Sequence, residues 1–154
     1  MENLNTNCAL QKNAVLPTRA RTNDVGYDLT VLSISRADKA HPNTQTFMVD
    51  FGVSVEPPPG YYFELIARSS LAWTGFILPN AIGVIDPDYR GTLKMPLLYL
   101  GLAEQADEQA ESLVGCRLAQ LVLRPLLSCQ FTEVQAQELS TTHRGQQGFG
   151  SSGL

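Results

Sequence analysis

Short runs of alternating apolar and polar residues make up most of this chain, and prolines and glycines separate the runs. Apolar residues at 47, 49, 51, 53 and 55 alternate with polar or small ones, which is the period of a half-buried β-strand. The prolines at 57–59 and Gly60 end this run, because proline has no N–H to donate to a sheet and glycine allows a turn. Alternation resumes over residues 61–67. The two runs are therefore predicted to be neighbouring strands joined by a turn.

Similar patterns predict further strands at residues 28–35, 92–99, 117–124 and 130–134. Many short strands with proline and glycine between them are typical of all-β barrels and sandwiches. Residues 103–113 (AEQADEQAESL) differ, because their alanines and glutamates favour a helix but offer no apolar stripe to bury. A solvated loop or a single exposed turn is predicted there. No repeat or linker divides the chain, so a single domain is expected.

The composition is that of one globular domain, with 154 residues of which 44% are hydrophobic and 17% charged. No apolar run approaches the roughly 18 residues of a membrane helix, and the first residues lack the pattern of a secretion signal. The three cysteines form no CxxC pair and the two histidines stand alone, so no metal-ligand spacing is found. We expect a protein with reduced thiols inside the cell, in the cytoplasm or nucleus, with no membrane partner.

The net charge of −4 is concentrated in one segment. Glu104, Asp107, Glu108 and Glu111 lie within residues 104–113, which contain no lysine or arginine, so the remaining residues are close to neutral. An anionic ligand elsewhere on the surface is therefore compatible with the negative net charge of the whole chain. No basic run or stripe is present, and binding to nucleic acid is not expected.

Four stretches are poorly explained as core or turn: GYDL (26–29), ARSSLA (67–72), NAIGVIDPDYRG (80–91) and GCRLAQ (115–120). Each has an ordinary reading when taken alone. Asp28 could accept a hydrogen bond within a turn, and the serines at 69 and 70 could cap a short helix. Asp86 could lie in a common β-turn with proline at its second position. Gln120 could belong to the polar face of a strand.

Together with the final segment RGQQGFGSSGL (144–154), these stretches contain groups that suit a nucleoside polyphosphate. Hydroxyls and the guanidinium groups of Arg68 and Arg144 bind phosphate oxygens. The aromatic rings of Tyr89 and Phe149 suit a flat base or a sugar. A carboxylate on a rigid turn can activate a water molecule.

The order and content of these stretches resemble the trimeric deoxyuridine triphosphatase (dUTPase) family. Five motifs carry the resemblance: VGYDL (25–29), ARSSLA (67–72), NAIGVIDPDYRG (80–91), GCRLAQL (115–121) and RGQQGFGSSG (144–153). One motif alone would be a weak signal, but five in the same order over nearly the whole chain are specific.

The resemblance implies a distorted jelly-roll-like β-barrel that forms homotrimers, in which each active site is built from more than one subunit. It also implies hydrolysis of dUTP to dUMP and pyrophosphate by Mg²⁺-assisted attack of water on the α-phosphorus, which lowers dUTP and supplies dUMP for thymidylate synthesis. By the same resemblance, residues 1–143 form the β domain and residues 144–154 form a glycine-rich arm that closes over the bound nucleotide.

The third motif carries the implied chemistry. Asp86 is expected to be the general base that orients and deprotonates the attacking water, and Tyr89 to pack under the deoxyribose and reject a 2′-hydroxyl. Asn80 and the backbone of residues 81–86 are expected to form a β-hairpin that reads the uracil edge and leaves no room for a thymine methyl. The hairpin residues implied in uracil binding are Gly83, Val84 and Ile85.

The other motifs are implied in holding phosphates and closing the site. Asp28 is expected to support the site from behind or to steady the metal-bound water, and Mg²⁺ to be held by triphosphate oxygens and waters with no direct protein ligand. Phosphate contacts are implied for Arg68, Ser69, Ser70 and Gln120. In the arm, Arg144 is expected to reach the γ-phosphate and Phe149 to stack on uracil, with further contacts from Gly150 and Ser151.

A few positions depart from the family pattern. Pro96 falls inside the strand predicted at 92–99 and Tyr99 replaces a common asparagine, so pairing there is expected to be disturbed. Cys116 is expected to be a turn residue. Gln147 replaces a glycine in the arm; if it reduces the order of the closed arm, affinity is expected to fall modestly without loss of the chemistry.

Two other functions are compatible with parts of the pattern. A related dCTP deaminase shares the RSSLA and IDP elements, but its catalytic glutamate would fall near Pro96, which cannot carry out acid–base chemistry. A catalytically reduced binding or regulatory protein on the same fold is the main alternative. An active enzyme is favoured by the retention of six positions: Asp86, Tyr89, Arg68, Gln120, Arg144 and Phe149.

Overall fold

The computed structural model describes residues 4–39 and 43–148, and strands account for most of its regular structure. In chain order the strands are β1 (Asn7–Leu10), β2 (Tyr27–Thr30), β3 (Ser33–Arg36), β4 (Gln45–Asp50), β5 (Val53–Glu56), β6 (Tyr61–Ala67), β7 (Phe76–Ile77), β8 (Ile82–Ile85), β9 (Lys94–Tyr99) and β10 (Arg117–Pro125). The helix α1 covers Ala106–Glu111, and 3₁₀ turns cover Ser69–Trp73, Ala103–Gln105 and Ala136–Glu138. None of the helices in this part of the chain is long and apolar enough to cross a membrane.

Three antiparallel sheets enclose one apolar core. Their strand orders are β1-β5, β2-β10-β6-β8 and β3-β4-β9-β7. The inward-facing residues of the two four-stranded sheets meet in a single cluster, because alternate residues of each strand point to the same face. The predicted jelly-roll-like β-barrel is confirmed. Its largest fully buried side chains include Phe51, Phe76, Leu65, Leu93, Leu97 and Leu121.

Two of the predicted strands are each divided between sheets. The alternating run at 47–55 breaks at Phe51 and Gly52, where Gly52 has φ +63° and the chain passes from β4 to β5. The run at 28–35 likewise divides into β2 and β3, which lie in different sheets. The prediction that the strands on either side of residues 57–60 are neighbours was wrong, since β5 pairs with β1 while β6 pairs with β10 and β8.

The acidic segment was predicted to be a loop or one exposed turn, and this was wrong. Residues 103–111 form a 3₁₀ turn that continues into α1, and Ala106, Ala110 and Leu113 are buried. Spaced four and three residues apart, these side chains form a narrow apolar face that the small size of alanine conceals in the sequence. Arg36 Nε donates to Asp107 Oδ1 at 2.7 Å and fastens the helix to β3.

The strand predicted at 130–134 is not formed. The chain is exposed from Arg124 through Gly148, and between the end of β10 at Pro125 and Gly148 the short 3₁₀ turn Ala136–Glu138 is the only regular element. Leu127 and Phe131 are 85% and 94% exposed. The predicted strand therefore has no partner within the described part of the chain.

Pro96 is accommodated within the inner strand β9. It lies opposite Met48 of β4, while β7 pairs only with Leu98 and Tyr99 and has ended before it reaches Pro96. No strand on that side requires the missing N–H. Tyr99 packs against Phe76 with ring centroids 4.8 Å apart, so pairing persists where disturbance was expected.

Candidate functional site

Asp28 is a buried carboxylate that holds two arginines. Its side chain is 8% exposed; Oδ1 lies 2.8 Å from Arg68 Nε and Oδ2 lies 3.1 Å from Arg117 Nη1. Its backbone N–H donates to the carbonyl of Thr18 at 2.7 Å. Two guanidinium groups share one carboxylate, so the cluster keeps a net positive charge, and Arg117 is half exposed. The arrangement can attract an anion. Each oxygen of Asp28 is already paired with one arginine.

The arginines and the first 3₁₀ turn are joined through the start of β10. Arg68 Nη1 donates to the carbonyl of Arg117 at 3.0 Å, and Ser70 Oγ lies 3.5 Å from the same oxygen. The position preceding the 3₁₀ turn Ser69–Trp73 is Arg68, and no side chain caps the turn. The serine hydroxyls are exposed and are not helix caps, which leaves them accessible to a ligand.

Gln120 lies beside this cluster because of sheet register. Asp28, Gln120, Ile66 and Ile82 occupy one row across β2, β10, β6 and β8. The Gln120 side chain covers Gly26, where an added Cβ would lie 1.8 Å from Oε1. The glycine of the first motif therefore makes room for the glutamine of the fourth.

Replacing Gly26 by alanine is expected to lower the free energy of unfolding by about 1–3 kcal/mol, the usual range for overpacking. The new methyl group must displace the Gln120 amide. Chemical denaturation of Gly26→Ala, Gln120→Ala and the double variant measures the effect. If the clash is the cause, the Gly26 substitution has much less effect when Gln120 is already alanine; equal losses in both backgrounds would contradict it.

A second group of predicted residues surrounds β8, which is the edge strand of its sheet. Only its β6 side is paired, so the other backbone edge can offer N–H and C=O groups to a planar ligand. The turn before it is fixed by Ala81 at φ +58° and by Asn80 Nδ2, which donates to the carbonyl of Ile82 at 3.3 Å. The expected β-hairpin over residues 81–86 is instead this one strand, including Gly83, Val84 and Ile85, with β6 as its partner.

Asp86 follows β8 and is exposed on a tight turn. The N–H of Tyr89 donates to the carbonyl of Asp86 at 3.1 Å, which closes the turn. Tyr89 Oη donates to the carbonyl of Thr92 at 3.0 Å, and the ring lies over Gly91, where a Cβ would be 2.4 Å from Oη. The carboxylate of Asp86 therefore projects from a backbone that is held on both sides.

The third group is the start of the C-terminal segment. Arg144 Nε donates to the carbonyl of Gln147 at 2.9 Å, and Gly145 N–H to the carbonyl of Thr142 at 3.2 Å. These bonds are local, and the residues around them are exposed. Phe149, Gly150 and Ser151 lie outside the described residues.

These groups do not meet within one chain. The β6–β8 register places Asp86 and Arg68 about 20 Å apart along the strand direction, at a rise of about 3.3 Å per residue. Arg68 also turns toward β2, away from β8. Within residues 4–39 and 43–148, no hydrogen bond or ion pair links the Asp28 cluster, the Asp86 turn and residues 144–148.

Two arginines near the predicted residues were not given roles from the sequence. Arg117 lies in the fourth motif, but its pairing with Asp28 depends on the adjacency of β2 and β10. Arg90 lies in the third motif and contacts the carbonyls of Pro87 and Tyr89. Within the described ranges, no three histidine, cysteine or acidic residues are grouped as a metal cage.

Comparison with known proteins gives consistent results. A family model described as dUTPase matches residues 12–153. The deoxyuridine 5′-triphosphate nucleotidohydrolase of Yarrowia lipolytica is 35% identical over 145 residues, which are 94% of this chain and 86% of that protein. The Staphylococcus bacteriophage 80alpha dUTPase, solved with dUpNHpp, superposes with a TM-score of 0.77 at 24% identity, covering 97% of this chain and 99% of that one. The dUTPase of S. aureus phage phi11, described with a structural Mg(II) ion, has a TM-score of 0.69 at 21% identity, covering 88% and 99%.

Proposed function

The chain belongs to the dUTPase family and hydrolyses dUTP to dUMP and pyrophosphate, and we propose that Asp86 is the general base of this reaction. The observation that carries the proposal is the exposed carboxylate on a turn closed by Tyr89. Phosphoryl transfer depends mainly on position and on charge stabilisation, so a carboxylate held in place can align a water for attack on the α-phosphorus and accept its proton.

The edge strand β8 and Tyr89 recognise the nucleoside in this proposal. The unpaired backbone edge of residues 82–85 offers donors and acceptors to uracil, and Asn80 steadies the turn in front of them. The Tyr89 ring packs under the deoxyribose, where a 2′-hydroxyl would collide with it. The bond from Tyr89 Oη to Thr92 supports this role because it fixes the ring.

The cluster around Asp28 receives the phosphates. Arg68, Ser69, Ser70 and Gln120 donate hydrogen bonds to phosphate oxygens, and charge-assisted bonds from guanidinium groups are the strongest of these. Asp28 acts by orienting Arg68, since both of its carboxylate oxygens are engaged by arginines. It is therefore a positioning residue in this proposal rather than a group that touches the reacting atoms.

A divalent metal serves the reaction in this family, and we propose that Mg²⁺ is the ion used. The donor set fits an ion held by triphosphate oxygens and waters, because both oxygens of Asp28 are already paired with arginines and Mg²⁺ commonly binds through substrate phosphates. When bound, the ion would neutralise charge on the triphosphate, while Arg68 and Gln120 orient the phosphates. Chelation by EDTA is expected to reduce pyrophosphate release by more than about tenfold, and added Mg²⁺ to restore it.

We propose that the protein is a homotrimer with shared sites. The separation of Asp86 and Arg68 along the sheet supports this, because one nucleotide bound to both requires two copies of the chain. The exposed Leu127 and Phe131 also indicate a surface that another copy covers. Residues 144–154 are proposed to act as an arm that crosses to a neighbouring copy, with Arg144 on the γ-phosphate, Phe149 on uracil, and Gly150 and Ser151 close to the phosphates.

Substrate selectivity tests the recognition part of the proposal. Purified protein with Mg²⁺ is expected to release pyrophosphate from dUTP, with kcat/KM for UTP and dTTP lower by about 10²-fold or more. The reason is that the proposed pocket excludes the 2′-hydroxyl of UTP and the methyl group of dTTP. A coupled pyrophosphate assay measures all three. Comparable rates for dUTP and UTP would contradict the role of Tyr89.

We propose that the protein acts inside the cell, in the cytoplasm or nucleus.

A further inference from the structure

We propose that Arg90 is a positioning residue of the reaction, which holds the Asp86 turn from the side of the N-terminal strand and is itself held by Glu56 and Asn7. This inference rests on the proposed role of Asp86. It concerns side chains to which neither the motif roles nor the chemistry above assigns a function.

Arg90 reaches back onto the turn that carries Asp86. Its Nη1 donates to the carbonyl of Pro87 at 2.6 Å and to that of Tyr89 at 3.1 Å. These two carbonyls belong to the residues that form the turn after Asp86. One guanidinium group therefore contacts one peptide unit inside the turn and the peptide unit that directly follows it.

The other end of the guanidinium group is anchored to a different sheet. Nη2 lies 3.2 Å from Glu56 Oε1, and Asn7 Nδ2 donates to Glu56 Oε2 at 2.7 Å. Asn7 and Glu56 are cross-strand partners in β1 and β5. The Asn7 hydrogen bond and the Arg90 charge hold the pKa of Glu56 below its usual value, which favours the ionised carboxylate.

The contacts of Arg90 with Pro87, Tyr89 and Glu56 form a clamp on one side of the turn. An open cleft of about 400 Å³ borders the clamp and is lined by Pro57, Pro58, Pro59 and Pro87 together with Arg90 and Glu56. Because the cleft leaves that side of the turn open, loss of the guanidinium group would leave the turn held by the bonds of Tyr89 to Asp86 and Thr92, with Pro87 freer to shift. A displacement of about 1 Å in a catalytic group can cost up to about 10²-fold in rate.

The ion pair itself is half exposed, at 52% for Arg90 and 49% for Glu56. Such pairs contribute little to stability. A purely structural role thus predicts a small change in the melting temperature and an unchanged kcat, whereas a positioning role predicts a reduced kcat with a nearly unchanged KM.

The test compares Arg90→Gln, Arg90→Lys and Glu56→Gln with the wild type, and uses Arg36→Gln as a matched control. Arg36 pairs with Asp107 on α1 at similar exposure, away from the turn. Arg90→Gln is expected to lower kcat for dUTP about tenfold with KM changed less than about twofold. Glu56→Gln is expected to lower kcat less, since the carbonyl bonds of Arg90 remain, and Arg90→Lys to recover part of the rate through one retained donor.

Arg36→Gln is expected to leave kcat unchanged. If Arg90→Gln retains wild-type kcat, or if Arg36→Gln lowers kcat equally, the positioning role is wrong. If the wild type itself fails to hydrolyse dUTP, the proposed function fails instead. If Asp86→Asn is fully active while Arg90→Gln is slow, the base assignment fails and the clamp acts through another residue.

Discussion

Replacing Asp86 by asparagine is expected to lower kcat for dUTP by about 10³-fold, within the range that a positioned general base contributes. The amide keeps the size of the side chain and cannot accept the proton of the attacking water. Because Asp86 is exposed and the turn is closed by backbone bonds and by Arg90, the fold is expected to remain intact. Steady-state pyrophosphate release and circular dichroism measure the two effects.

Asp88 provides the matched control, because it is an exposed carboxylate two residues away in the same turn. Asp88→Asn removes the same charge from the same surface and is expected to change kcat by less than about twofold, as surface substitutions usually do. Equal losses in the two variants would show that the charge of the turn matters rather than the position of one carboxylate. Full turnover by Asp86→Asn would remove Asp86 from the mechanism.

Removal of residues 144–154 is expected to reduce kcat/KM for dUTP by about 10²-fold or more, because a closing segment excludes water and completes the set of phosphate contacts. The melting temperature is expected to be unchanged, since residues 144–148 are exposed and their hydrogen bonds are local.

A variant in which a glycine–serine segment of the same length replaces residues 144–154 separates the effect of these side chains from that of chain length. It is expected to be as slow as the truncated protein. Arg144→Ala and Phe149→Ala then distinguish the phosphate contact from the base contact. Wild-type turnover in the truncated chain would mean that the segment has no part in the reaction.

The strands were predictable from the sequence where one face of a strand is buried throughout. Residues 61–67 alternate and lie in β6. Residues 117–124 were also predicted as a strand and lie in β10, although that strand is buried on both faces and does not alternate. The break within 47–55 was not predictable, because the apolar–polar period continues while the chain changes sheet at Gly52. In 28–35 the apolar positions change phase between Val31 and Leu32, where β2 gives way to β3. The period of a strand shows which side is buried, but it does not show against which sheet.

The predictions for residues 103–113 and 130–134 were wrong for different physical reasons. The buried face of α1 consists of Ala106, Ala110 and Leu113, and alanine gives little apolar signal even when fully buried. Residues 130–134 contain the phenylalanine, threonine and valine that favour a strand, but a strand needs a partner, and the described chain offers none.

The candidate site was predictable as a set of residues and not as an arrangement. The motif order identified Asp28, Arg68 and Gln120, but their proximity follows from the adjacency of β2, β10 and β6, which no local pattern encodes. The supporting role of Arg90 depends on a contact with Glu56, which lies 34 positions earlier in the chain.

A mixture of two inactive variants tests most directly whether the site is completed only between copies. Asp86→Asn supplies the arm without the base, and the chain lacking residues 144–154 supplies the base without the arm. Refolded together in equal amounts, random mixed trimers are expected to regain activity at about one quarter of their sites, if the base and the arm of each site come from different copies. Activity equal to the sum of the two separate variants would mean that the arm closes over the Asp86 of its own chain, and would contradict the shared site.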